Sequence, residues 1–172
     1  MLLLKRLFGQ AGRGREEVRP LWHRSVELAR KPAWFSRGGI ADTVEGRFDA
    51  VTLVLALVML RLDGDDALRA PSARLTELFV DDMDGQLRQS GVGDLVVGKH
   101  VGKLMGALGG RIEALKAALA KADDTDLIAA IDRNVTLTEG ADTAFLAAEL
   151  RAVAARLAAT ANADLLAGRI AA

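Results

Sequence analysis

The chain contains no cysteine. That excludes disulfides, thiolate nucleophiles and Cys-ligated zinc or iron–sulfur centres, and it is neutral about compartment. Histidine is almost as scarce. His23 and His100 stand far apart in the sequence, which argues against a His-based metal or catalytic centre. An excess of either charge is also missing: 23 Lys and Arg balance 23 Asp and Glu, so no global field favours nucleic acid and no DNA partner is expected. Long hydrophobic runs are absent too. The longest, Ala50–Leu60 interrupted only by Thr52, is too short for a bilayer, which needs about 20 apolar residues, and Asp49, Arg61 and Asp63 flank it.

What remains is a chain of 172 residues, 51% apolar and rich in Ala and Leu, with aromatics at 4%. The length fits one domain with a real core, and the composition suits closely packed helices. The stretch Asp42–Leu62 organises the rest. Asp42 with Glu45 has the spacing of a capping box, which starts a helix near Thr43. Its apolar residues then run round the whole circumference, the mark of a helix enclosed by others. A buried strand is the rival reading, since Val51, Val54 and Val58 are β-branched, but strands usually run about 5–6 residues and this segment is far longer.

The opening MLLLKRLF is too short in its apolar part for a secretory signal, and its basic residues follow the leucines instead of preceding them. Retention in the cytoplasm is the expectation. The segment could lie on an anionic membrane surface, connected through a flexible Gly9–Gly14 stretch; a frayed terminus is the competing reading. This divides the chain into an N-terminal membrane-proximal or flexible segment, 1–19, and a helical domain, 20–172. Residues 1–37 carry nine Lys and Arg against three Glu, a local basic bias that could meet lipid headgroups or ribosomal RNA, or simply be solvated.

Pro20 fits the first turn of a helix running to about Arg30, which Lys31-Pro32 ends. A further helix is expected from Ser72 as N-cap down to Gly91. It contains Asp81-Asp82-Met83-Asp84, which gives the alternative function: a small Mg²⁺-dependent diphosphate-binding enzyme. Gly85 stands where the last Asp of a DDxxD motif belongs, and an amphipathic helix with solvated acids explains the same residues. Then Val97, Val101, Leu104, Leu108, Ile112, Leu115 and Leu119 mark one buried helical face, with Asp94 available as its cap. Gly98, Gly102 and Gly106 form an adjacent strip, each weakening the helix by about 1 kcal/mol relative to Ala. Close approach of another helix, the core helix Val51–Leu62 being the neighbour expected, would account for them. Shorter helices open at Asp123–Asp126 and at Asp142-Thr143, the second with the stripe Leu146, Leu150, Val153, Leu157, and the final DLLAGRIAA makes one more turn. No segment alternates as a strand. The fold class is all-α: a compact single-domain bundle of about six or seven helices around a buried central helix.

These residues together resemble the ubiquinol–cytochrome c chaperone family, assembly factors for the cytochrome bc complex. The resemblance rests on Pro32–Phe35, Asp42-Thr43 and Gly46–Asp49 leading into the apolar helix. Phe79, Asp82–Asp84, Gly91–Asp94, Gly98-Lys99, Gly110-Arg111 and Arg133-Asn134 continue it. It covers roughly residues 20–135, and departs most over Thr136–Gly140 and the Ala-rich tail, which carry none of the aromatics expected there.

It implies a non-enzymatic chaperone without a cofactor, whose client is newly made cytochrome b or another cytochrome bc subunit. It also implies work at the cytoplasmic face of the inner membrane, peripheral to it and near the ribosome. Arg47, Asp82, Asp84, Asp94, Lys99 and Lys103 are then expected as polar surface near the face that grips the client, against the competing reading of intramolecular pairing and capping.

Overall fold

The computed structural model describes the backbone of residues 2–89 and 94–170, and the side chains from residue 14 onward except those of 87, 90–97 and 171–172. The described residues form six longer helices and two of five residues each. They are α1 (Leu2–Ala29), α2 (Pro32–Ser36), α3 (Val44–Asp63), α4 (Arg69–Gln89), α5 (Asp94–Leu119), α6 (Thr125–Asn134), α7 (Thr143–Ala159) and α8 (Asn162–Leu166). A 3₁₀ turn, Asp66–Leu68, precedes α4. The one β-type pairing among them is an isolated antiparallel bridge, Ile40 to Leu137.

Helix α3 is the enclosed helix that its all-round apolarity predicts. Every residue from Thr52 to Met59 is buried, and α1, α4, α5 and α7 all pack against it. Its cap is Thr43, whose Oγ1 accepts from the Gly46 N–H at 3.1 Å. Asp42 is not part of a capping box; it is taken by Arg47, whose Nε donates to it at 2.6 Å. Gly46 is required there, because a Cβ would collide with the Ala41 carbonyl.

Two helix starts differ from the sequence expectation. Pro20 lies inside α1, which runs unbroken from Leu2, so the Gly9–Gly14 stretch is helical and not a linker. Proline within a helix removes a hydrogen bond and costs about 3 kcal/mol. Burial of Val18, Leu21 and Trp22 around Pro20, with Trp22 edge-on to Phe79 of α4 at 5.9 Å, offsets that cost. Ser72 is not an N-cap either: α4 begins at Arg69, continuous with the 3₁₀ turn, and Asp65 caps that turn by accepting from the Ala67 N–H at 2.9 Å. The Ser72 hydroxyl donates back to Asp63 at 3.0 Å instead.

The later helices start and stop as read. Asp142 caps α7 by accepting from the Phe145 N–H at 2.8 Å, and Leu146, Leu150, Val153 and Leu157 are buried. After α8 the chain turns at Gly168 (φ +70°), which lies so close to the Pro20 carbonyl that a Cβ would approach it to 2.6 Å. Arg24 then donates to the Ile170 carbonyl at 2.8 Å, tying the C-terminal turn to α1.

Candidate partner-binding surface

A buried charge pair fixes how α5 sits on the core helix. Asp49 and Arg111 are each 7% exposed, and they form an ion pair across α3 and α5. Arg111 also donates to the Thr52 hydroxyl and, at 2.6 Å, to the Asn134 carbonyl. The second Asp49 oxygen accepts from both the N–H and the hydroxyl of Thr136, each at 2.8 Å. The guanidinium lies 5.7 Å from the centre of the Phe48 ring. One cluster thus joins α3, α5, the end of α6 and the segment that follows it. Removing one partner of such a pair strands a buried charge, so the cluster sets geometry more than it adds stability.

Sequence reasoning missed Asp49 and Arg111 as a pair, although a signal existed. Arg111 stands three positions after Leu108 and four before Leu115, on the face of α5 that the apolar period buries, and Asp49 opens the apolar run of α3. A charge at a core position calls for an opposite charge at another.

With that face turned inward, the opposite face of α5 is outward and, between Gly98 and Gly110, rich in glycine. Gly98, Gly102, Gly106, Gly109 and Gly110 all point to open space: a Cβ built on any of them meets nothing within 4 Å. The expected close contact between the glycine strip and α3 is therefore not made. Helix α5 packs on α3, its buried face carries Leu108, Arg111, Leu115 and Ala118, and the glycines lie on the far side. Lys99 and Lys103 are exposed on the same outward half of the helix, and neither has an acidic partner among the described residues.

The other expected surface residues are distributed over separate elements. Asp84 accepts from Arg88 at 2.7 Å and Asp82 from Gln86 at 3.2 Å, both within α4. Asp82 also lines a cavity of about 420 Å³ between α1 and α4, beside Arg15, Trp22 and His23. Arg47, paired with Asp42, lines a different cavity of about 770 Å³. Its hydrogen bond holds the exposed Asp42 carboxyl below its ordinary value. Asp94 is the first residue of α5, and its side chain lies outside the described residues.

The acidic run does not assemble a diphosphate site. Asp81 is paired with Arg15, Asp84 with Arg88, and the described residues contain no group of three or more His, Asp or Glu able to hold a metal ion. No described helix is long and apolar enough to cross a membrane.

The family model described as ubiquinol–cytochrome C chaperone matches residues 36–172. The chain belongs to the ubiquinol–cytochrome c chaperone family. The match runs through the Ala-rich tail, which the resemblance read from the sequence covered only loosely. The chain is also similar to the crystal structure of the Cbp3 homolog from Brucella abortus, at 30% identity and a TM-score of 0.80, over 99% of this chain and 95% of that one. None of the curated proteins compared matches. Family membership makes the protein an assembly chaperone of the cytochrome bc complex and not an enzyme, and it lends no support to the diphosphate-enzyme alternative.

Proposed function

We propose that the client is newly made cytochrome b, and that it docks on the outward face of α5. The observation that carries this reading is the row Gly98, Gly102, Gly106, Gly109 and Gly110, to which none of the described residues packs within 4 Å of an added Cβ. Each glycine weakens the helix by about 1 kcal/mol relative to Ala. A bare helical surface admits the backbone of another helix at close range, as small-residue faces do between membrane helices. A nascent membrane protein supplies such helices. Lys99 and Lys103 flank the row and suit the acidic groups or anionic headgroups beside a membrane segment. Asp94, which opens α5, and Asp82 and Asp84 of its packing neighbour α4 extend the polar surface around this face, where they orient the client and exclude like-charged partners, whereas Arg47 lies on the rim of the separate cavity.

The test is complementation. A strain lacking the gene should lose assembled cytochrome bc complex, with other respiratory complexes near normal. Wild-type protein should restore it, and Gly102→Leu should restore much less at equal protein level. Full restoration by Gly102→Leu and by Lys99→Glu/Lys103→Glu would reject the α5 face. Normal cytochrome bc complex in the deletion strain would reject the function.

The same reading places the protein in the cytoplasm, peripheral on the inner membrane and close to the ribosome, with MLLLKRLF as the interfacial segment. Two basic residues near an anionic surface contribute about 1 kcal/mol each, so the attachment is weak and salt-sensitive. Removing residues 1–12 should lower sedimentation with anionic liposomes and reduce the helical signal only by the part of α1 deleted. Equal sedimentation of both forms would remove this segment from the account.

A further inference from the structure

The cavity of about 770 Å³ sits where α1 ends, α2 crosses and α3 begins. Its apolar part is Pro32, Phe35 and Ile40; its rim carries the cations Arg30 and Arg47 and one carboxylate, Asp42, which Arg47 neutralises. The floor is fixed by backbone bonds. Ile40 N–H donates to the Trp34 carbonyl at 3.1 Å, Ala41 N–H to Thr136 at 2.9 Å, and Thr138 N–H to Gly39 at 2.8 Å. Gly39 (φ +77°) packs so tightly that a Cβ there would meet that of Ala141 at 2.5 Å. The concavity is therefore held open by the fold.

One cation of this lining, and one apolar residue two positions after its Asp42, are unpartnered among the described residues. Arg47 is held by Asp42, but Arg30 has no carboxylate partner among the described residues. Close by in sequence, at the start of α3 between Asp42 and Arg47, Val44 is 81% exposed, the one large apolar side chain left so among those described. An unpaired guanidinium beside a preformed apolar hollow is complementary to a carboxylate standing next to a bulky apolar group.

We propose that this basin binds a peptide segment of a partner protein in which Asp or Glu stands beside a large apolar side chain. The apolar side chain lies on Pro32 and Phe35 above the buried Ile40, the carboxylate pairs with Arg30, and Val44, two residues after Asp42 of the lining, meets the flank of the peptide. A peptide fits better than a lipid surface for two reasons. A bilayer cannot follow a concavity, whereas a few side chains can fill one. The basin also lies at the C-terminal end of α1, a helix of 28 residues and so about 42 Å long, while the proposed interfacial segment is at its other end. The site is separate from the α5 face and does not depend on it.

Selection from a random-peptide phage library on the immobilised full-length chain tests this. Enriched peptides should pair Asp or Glu with Leu, Ile, Phe or Trp within two positions. A synthetic representative should bind about tenfold more weakly to Arg30→Gln, the loss expected for one charge-assisted hydrogen bond. Val44→Asp should weaken it as well, and Lys99→Gln should not. Arg30 and Val44 are both exposed, so these variants keep the wild-type helical spectrum and melting temperature. No enrichment, enriched peptides lacking acidic residues, or binding indifferent to Arg30→Gln would overturn the proposal. Co-sedimentation with phosphatidylglycerol vesicles that falls in Arg30→Gln, with no peptide enriched, would overturn it in favour of lipid.

Discussion

Replacing Gly102 by Ala isolates what the open glycine row means. Gly102 is exposed in the middle of α5, and a Cβ added to it meets no atom within 4 Å. No steric cost arises, so the helix propensity difference, about 0.8–1 kcal/mol, appears as a gain in stability. With a urea m-value of about 2 kcal/mol/M, the unfolding midpoint should rise by about 0.5 M at unchanged slope. The melting temperature should rise by about 2–4 °C, as expected for a domain of this size. Gly98→Ala and Gly106→Ala should behave alike and add, since the substituted methyls do not touch one another's partners. Gly102→Leu should fold as stably as the alanine variant, because the larger side chain also extends into open space. A lower midpoint in Gly102→Ala would mean that another element packs on this strip and that α5 has no open client face. Raised stability joined to poor cytochrome bc assembly is the pattern the reasoning requires, since the glycines are then retained for something outside the molecule.

Asp49→Ala should cost about 3–5 kcal/mol in urea unfolding, because Arg111 is left as an uncompensated buried charge, while far-UV helicity in the folded state persists. Loss below 1 kcal/mol would show that water reaches the cluster. Mg²⁺ with a prenyl diphosphate should leave the melting temperature unchanged in both wild type and Asp82→Asn; a rise lost in the variant would reopen the enzyme reading. Hydrogen bonds from Asn162 and from the Ala67 N–H, with Arg61 nearby, hold the Asp65 carboxyl below its ordinary value. A lowered folded-state value stabilises the fold above the unfolded-state value, and that contribution is lost as pH falls through the folded one. Asn162→Ala should raise the Asp65 value seen by carbon NMR titration and bring the onset of acid unfolding to higher pH.

The fold was legible where periodicity alone decides. The enclosed character of α3, the stripe of α7, the Leu108 and Leu115 part of the α5 stripe, and the Asp142 cap all follow from residues within one turn of each other, whereas Val101, Leu104, Ile112 and Leu119 of that stripe are only partly buried. It was not legible where a distant partner decides. Nothing local shows that Pro20 stays in a helix, because its cost is offset by Val18, Leu21 and Trp22 packing against other helices. Asp42-x-x-Glu45 has capping-box spacing, yet Thr43 accepts the hydrogen bond and Asp42 goes to Arg47, a choice made by the chain's entry angle. The glycine strip shows the same limit at the candidate site. Spacing placed Gly98, Gly102 and Gly106 together, but which way that strip faces depends on Arg111, whose partner Asp49 is on another helix.

The distribution of pairing separates scaffold from surface. The described outward charges of α1 and α4 are largely used within the molecule: Arg15 with Asp81 and Arg74 with Glu17 tie α1 to α4, and Arg88 with Asp84 runs along α4. Exposed pairs of this kind contribute little stability each, but they leave few free charges to recruit other partners. Helix α5 is arranged the other way. From Leu108 to Ala118 it is held by buried side chains and by the Arg111 cluster, whereas from Gly98 to Ala107 none of its described side chains is fully buried. The half that carries Lys99, Lys103 and the first three glycines is thus oriented by the half that follows it. A chaperone must hold a client and then release it, which strong intramolecular packing on the same face would oppose. On the proposed reading, a helix fixed at one end, whose outward face is glycine-rich and carries two lysines without an acidic partner among the described residues, meets both demands. It would offer close contact with little side-chain ordering on binding, so that affinity need not come at the expense of release.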